Sequence, residues 1–371
     1  MAGVVSIVVS GDLVLDEPDG AHWLSGIAPA IRAGDLAVGH LEVPHTASLH
    51  ELHGDVPAPG APVENLQALA EAGFGLVSLA GNHMADCGPQ GIADTMAGLD
   101  GVGIGHCGAG ANLAQARAAV WRDVGGRRVA LLSYNCVGPE NGWAGVDSPG
   151  VAWLRVETED GAPIAPSANM VRMDNDVPGV LAADIAAARA QGADLVLVAL
   201  HKGIVHTPAR LAPYERAIAH AAVEAGADVV IGHHAHILRG IEFYRGRPIL
   251  HGMGNGCVVT RALSPAQDHP ARAAWAERRK KLFGFEPDPA YTLAPFHPEA
   301  VNAMLARLDW AADGGIALSI IPVHVEAPGR PVLATGEAGA RVRRYVEDIT
   351  VAAGLPPITV ADDGAVREKA A

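Results

Sequence analysis

Nearly every chelating side chain of this sequence stands where an apolar run stops. Asp12 follows "VVSIVVSG", His40 and Glu42 close "DLAVGHLE", Asn82 and His83 follow "LVSLAG", and His201 follows "DLVLVAL". His233, His234 and His236 follow "ADVVIG", and Asn255 follows "PILHGMG". Carboxylate, amide and imidazole donors without thiolate suit divalent cations such as Mn²⁺, Zn²⁺ or Fe²⁺, singly or as a dinuclear pair. One histidine at a strand end is ordinarily a hydrogen-bonded loop residue. Six apolar runs that each end on a donor are a stronger signal, because ligands of helix-covered sheets bind outside the carboxyl ends of the strands. If the chain stays extended through "HHAH", His234 and His236 face one way and His233 the other. That assigns the first two to the site and His233 to its support.

The runs rich in Val, Ile and Leu read as strands at 4–9, 36–41, 75–80, 128–134, 194–200, 228–232 and 316–325. Between them, Ala-rich patterns that open on Pro and close on Gly read as helices at 62–73, 89–100, 178–192 and 213–226, with a further helix at 297–310. The alternation predicts an α/β fold with helices on the faces of a sheet. Two stretches break it, at about 135–178 and 257–299, and loops of that length in a compact domain are ordinarily functional. They are expected to cover the site. The reading is one domain over 1–355 followed by a C-terminal tail, 356–371.

Composition excludes several classes of function. With 49% hydrophobic and 18% charged residues, the 371-residue chain has ample material for a core. Its net charge of -14, from 27 Lys and Arg against 41 acids, disfavours nucleic acid as a partner. "AERRKKL" at 276–282 reads as the solvated face of a helix. The four cysteines have no CxxC spacing and read as buried thiols. No run reaches the ~20 apolar residues of a membrane helix, and the first apolar run reads as a strand and not a signal peptide. A cytoplasmic protein without a membrane partner is expected.

In order and spacing, "SGDLVL", "GDLAVGHLE", "GFGLVSLAGNHMADCGPQGI", "GVGIGHCGAGANLAQARA", "VALLSYN", "LVALHKGIVHTP" and "AGADVVIGHHAHILRGIEFYRGRPILHGMGN" resemble one known family. This is the CapA-like, capsule-synthesis branch of the calcineurin-like metallophosphatases, and the resemblance runs over about residues 4–256. It implies a four-layer α/β/β/α sandwich with a dinuclear-type site. Matched residue by residue, the implied metal ligands are Asp12, Glu42, Asn82, His201, His234 and His236, with His83 as proton donor or phosphate contact. The chain departs from the pattern at His40, where the family has Asn, and after Asp12, where Leu13 and Val14 replace the Asp-x-His of true phosphatases. Phe296, His297, Pro298 and Glu299 resemble a "PFHPE" element of soluble members. It puts His297 at a helix N-terminus, whose dipole would make the imidazole a better base. Nearby Trp275, Phe283, Phe285 and Tyr291 could wall a pocket for an apolar or peptidic substrate.

The reading that follows is a metal-dependent hydrolase acting on a phosphoester or amide of a small or peptidic substrate. Lys202, Arg239 and His40 are read as substrate-binding, with Arg210 close by. The resemblance also implies an alternative, a metal- and cofactor-independent peptide epimerase with Asp12 and His297 as its two bases. Its oxyanion would be stabilised by His83 or His201. A non-catalytic polymer-assembly or binding protein is the third reading, against which the retained donors count.

Overall fold

The computed structural model describes residues 3–369 except 57, 167, 263–267 and 294–296. The chain builds half of one sheet, then all of a second, and then returns to complete the first. The first half comprises β1 (Val5–Leu15), β2 (Leu36–Leu41), β3 (Leu76–Ser78) and β4 (Gly105–Cys107), all parallel. The second sheet uses β5 (Val120–Val124), β6 (Arg127–Asn135), β7 (Leu195–His201), β8 (Val229–His233), β9 (Ile241–Tyr244) and β10 (Arg247–Leu250), in the order β9-β10-β8-β7-β6-β5. The return supplies β11 (Asn255–Val259), β12 (Asn302–Trp310), β13 (Ile316–Glu326) and β14 (Arg330–Leu333). The first sheet then runs β14-β13-β12-β1-β2-β3-β4, with β11 also beside β1.

Three apolar layers hold these elements. Between the sheets lie Ile7, Val9, Val38, Leu131, Leu197, Ile231 and their neighbours. Outside the first sheet, α1 (Asn65–Ala72) and α2 (Gly88–Gly101) close a second layer through Leu66, Leu69, Ile92 and Leu99. Outside the second, α3 (Val177–Ala190) and α4 (Pro213–Glu224) close a third through Leu181, Ile185, Ile218 and Ala222. This is the four-layer α/β/β/α sandwich. A longer helix than these, α5 (Pro270–Phe283) aside, follows the last sheet strand: α6 (Gly336–Ala352), whose Val346 joins the layer between the sheets. Among the described residues no helix is long and apolar enough to cross a membrane.

Three sequence expectations are corrected here. The helix read at 297–310 is a short 3₁₀ turn, Pro298–Val301, followed by the strand β12. β12 lies between β1 and β13 and is buried without a break from Asn302 to Ala306, alternating only from Arg307 to Trp310, so the helix-forming composition misleads. The segment read as a tail is a hairpin, β15 (Ile358–Val360) with β16 (Val366–Glu368), and Ile358 and Val366 complete the inter-sheet core. Lys202 and Arg239, read as substrate contacts, are wholly buried. Lys202 Nζ lies 3.0 Å from Glu215 Oε2 and 3.2 Å from the His251 carbonyl. The Arg239 guanidinium donates to the Ile204 and Arg210 carbonyls and lies 3.9 Å from Glu215. Gly203, at φ +106°, passes so close that a Cβ there would meet the Glu215 carboxylate at 2.7 Å. The two cations therefore hold the loop after β7 from beneath.

Two outcomes are expected. Burial of Ile358 and Val366 stabilises by roughly 1.5–3 kcal/mol each. Deleting 356–371 should therefore lower the melting temperature, whereas removal of an unpacked tail would leave it unchanged. Glu215→Gln, which strands Lys202 and Arg239, should cost about 3–5 kcal/mol in urea unfolding at neutral pH. Burial alone would raise the Glu215 carboxyl, but Lys202 and Arg239 hold it below the ordinary glutamate value. Its contribution is thus complete above that value and lost as pH falls through the folded one, so the gap between wild type and variant should narrow in acid.

Candidate metal centre

The strand register brings the donors together. β1 changes neighbour midway: Val5–Val9 pair with β12, while Asp12–Leu15 pair with β11. At the change, Asp12 stands opposite His40 of β2 on one side and Asn255 of β11 on the other. In the second sheet His201 stands opposite His233. The carboxyl ends of the two sheets meet there. His40 and His201 rings lie 4.7 Å apart, as do His40 and His233, and His201 and His234.

His234 and His236 do not arrive by strand alternation. β8 ends at His233, and the two residues take left-handed backbone, φ 88° and 53°. Non-glycine residues adopt that region at a cost of order 1–3 kcal/mol, which the surrounding contacts must offset. His233, the last residue of β8, also reaches the site, with Nδ1 3.1 Å from Asp12 Oδ1. His233 therefore supports Asp12 directly, and the expectation that it faces away fails because the chain is not extended beyond it.

The cluster is rich in donors and poor in partners. His236 Nε2 lies 3.2 Å from Glu42 Oε1, and its Nδ1 3.6 Å from Asp12 Oδ2 and 2.9 Å from Asn255 Oδ1. His201 Nε2 lies 2.7 Å from Asn82 Oδ1, 3.1 Å from His234 Nδ1 and 3.9 Å from Glu42 Oε1. Three triplets, Asp12 with His40 and His201, Glu42 with His201 and His234, and Asp12 with Glu42 and His236, each offer donor atoms within 4.8 Å of one another. Glu42 Oε2, His40 Nε2 and His234 Nε2 are buried without a hydrogen-bond partner, and Glu42 Oε1 faces only the His236 ring at close range. Orphaned buried lone pairs on carboxylate and imidazole are what a divalent cation would satisfy, so these residues fit the group. His40, expected to touch substrate, belongs to this donor set, with Nδ1 2.9 Å from Ser78 Oγ.

Burial sets the charge states. It lowers His40 to about 4 and His233 and His234 to about 3, and it lowers His201 as well, leaving neutral rings with lone pairs at neutral pH. Burial and repulsion from Glu42 raise Asp12 to about 7. For His236 burial is outweighed by the Glu42 and Asp12 carboxylates, which lift it to about 9. Burial is likewise outweighed at His83, raised to about 10 by Asp86, whose Oδ2 is 2.7 Å from Nδ1. Burial raises Asp86 itself, and His83 and the Ala58 N–H partly offset that rise.

A cavity of about 600 Å³ opens above the cluster. Glu42, Asn82, His83, His234 and His236 form part of its lining, and Arg210 and Arg278 stand in its wall. Both expected insertions contribute, through Pro166, Ala168, Asn169 and Met170, and through Val258, Thr260, Ala262 and Arg278. The loop between β2 and α1, which the sequence did not single out, adds Gly54, Asp55, Val56 and Ala58. Proximity of Asp86 to the "GNH" run was a signal that went unused.

His297 is linked to the cluster by a chain of ring contacts, through Phe285 at 4.8 Å, Phe285 to His206 at 6.4 Å and His206 to His236 at 5.6 Å. It caps the 3₁₀ turn, Nδ1 accepting from Glu299 N–H at 3.0 Å, and it is not among the residues lining the cavity. A four-residue 3₁₀ turn supplies no helix dipole of consequence. Phe285 packs edge-on to His297 at 4.8 Å and against Val14, Val43 and Val258, while the Tyr291 hydroxyl donates to the Val325 carbonyl. Phe296 and the side chains of Trp275 and Phe283 lie outside the described residues.

Known proteins share these features to different extents. A probable polyglutamine synthesis accessory protein of Mycobacterium tuberculosis is 36% identical over 196 residues, 52% of this chain and 47% of that protein. The capsule biosynthesis protein CapA of Bacillus anthracis is 30% identical over 237 residues, 62% of this chain and 52% of that one. The chain thus spans about half the length of these curated relatives. A calcineurin-like phosphoesterase structure, YfkN from Bacillus subtilis, aligns at 12% identity and a TM-score of 0.42, covering 94% of this chain and 99% of that chain. The family described as bacterial capsule synthesis protein PGA_cap matches residues 6–258, a span that holds β1 through β10 and every strand-end donor from Asp12 to Asn255; the chain belongs to that family.

Proposed function

We propose that this protein is a metal-dependent hydrolase that cleaves a phosphoester or amide of a small or peptidic substrate. The supporting observation is the set of buried donors with unpartnered atoms, Glu42 and His234 in the lining of a cavity that His83 also lines, and His40 beside them. A divalent cation held there supplies Lewis-acid polarisation and acidifies water. The chain's own residues do the rest. His83, protonated at neutral pH by its contact with Asp86, stands ready to give a proton to a leaving group. Arg210 and Arg278 in the wall can pair with a carboxylate or phosphate of the substrate, and the relatives' names direct attention to glutamyl and glutaminyl peptides.

Purified protein should bind Mn²⁺ or Zn²⁺ stoichiometrically by metal analysis, and His201→Ala or Glu42→Gln should lower the stoichiometry. Loaded protein should then hydrolyse aryl phosphodiesters or glutamyl peptides faster than the metal-free form. Equal rates in the two forms on both substrate classes would sink the proposal. His83→Ala should lower kcat by about 10²–10⁴-fold while metal content stays at the wild-type level. Because His83 must carry its proton, kcat should fall as pH rises through about 10.

A further inference from the structure

The strand ends account for the donors but not for the orientation of Asn82. Its amide is asymmetric, since only the oxygen offers lone pairs and only the nitrogen donates. Oδ1 stands 2.7 Å from His201 Nε2, on the side of the cluster, while Nδ2 donates to Asp55 Oδ2 at 2.7 Å. Asp55 belongs to no strand end. It sits in the loop between β2 and α1, and its Oδ1 accepts from the Val56 N–H at 2.7 Å, which fixes the carboxylate against its own loop. The same loop is tied to the neighbouring residues of Asn82. Leu52 N–H donates to the Asp86 carbonyl at 2.9 Å, and Ala58 N–H donates to Asp86 Oδ2 at 2.6 Å, the oxygen that also meets His83. Asp55 and Asp86 thus tie Leu52, Asp55 and Ala58 to Asn82 and His83, and Gly54, Asp55, Val56 and Ala58 form one wall of the cavity.

We propose that Asp55 is a positioning residue that selects the Asn82 rotamer. Through the same bond it couples the order of loop 52–58 to occupation of the cluster by a divalent cation. The inference rests on the reading of the cluster as a cation site. An amide flip would set the Asn82 oxygen against an acceptor-only carboxylate and turn the NH₂ toward His201, so Asp55 disfavours it. A cation that draws on Oδ1 makes the Nδ2–H a stronger donor to Asp55, and the coupling is reciprocal: whatever orders the loop also favours the cation.

Calorimetric titration of the metal-free full chain with MnCl₂ tests this, with hydrogen exchange over 52–58 read in the same samples. Removal of an outer partner of a ligand typically lowers metal affinity about 10–100-fold. Asp55→Ala, and Asp55→Asn with its volume kept, should therefore weaken Mn²⁺ binding at least about tenfold, and Asp55→Glu should recover part of the loss. Mn²⁺ should slow exchange over 52–58 in the wild type and not in Asp55→Asn. Wild-type affinity in both variants, within twofold, with Mn²⁺ still protecting the loop, overturns the proposal. A wild-type chain that takes up no Mn²⁺ sinks the cation reading and, with it, the coupling. The positioning role is then decided in the metal-free protein, where Asn82→Ala must accelerate exchange over 52–58; unchanged exchange there refutes it.

Discussion

Two carboxylates, Asp12 and Glu42, are wholly buried where the carboxyl ends of two sheets meet, and the local structure is organised around that charge. An ionised carboxylate taken out of water must be answered by hydrogen bonds, by opposite charge or by a cation. Asp12 receives the first kind of answer from His233 and from the His234 N–H. Glu42 receives the second from His236. What they do not receive is enough: Glu42 Oε2 has no hydrogen-bond partner, and the His40, His233 and His234 rings are neutral. An arrangement that collects so many unpartnered acceptors against one another is costly as an empty core and sensible as a receptor for positive charge.

Much of this was legible in the sequence, for a physical reason. A residue that ends a buried parallel strand lies at the sheet's carboxyl edge whatever the connections are, so Asp12, His40, His201 and His233 were placed by the apolar runs before them. The turn that carries His234 and His236 was not legible, because positive φ at a non-glycine residue leaves no mark in hydrophobic pattern. β12 was misread because its stretch from Asn302 to Ala306, buried on both faces, has no period of two. Lys202 and Arg239 were misplaced for a related reason. A charged residue beside a histidine motif looks like a substrate contact until its buried counter-ion, here Glu215 on α4, is known. The role of the loop between β2 and α1 was hidden because Asp55 acts through another side chain and not at a strand end.

Membership of the capsule synthesis family fits the same geometry. His40 enters the donor cluster with Asp12 and His201, so β2 contributes an imidazole there. Leu13, which follows Asp12, is buried in the layer beneath α1 and α2. The position two beyond Asp12 is Val14, which lines the cavity with an apolar wall. The cluster is therefore furnished more heavily from the second sheet than from β1.

The change of neighbour along β1 has a kinetic meaning. β1 precedes every other strand described, yet its lower half pairs with β12, near residue 305, and its upper half with β11, near residue 257. The intervening chain holds the entire second sheet. Long-range pairing of that kind slows folding and leaves an unsatisfied strand edge exposed in the meantime. The donor cluster straddles this seam, so a chain that stops before β11 carries all its histidines without the strands that flank Asp12.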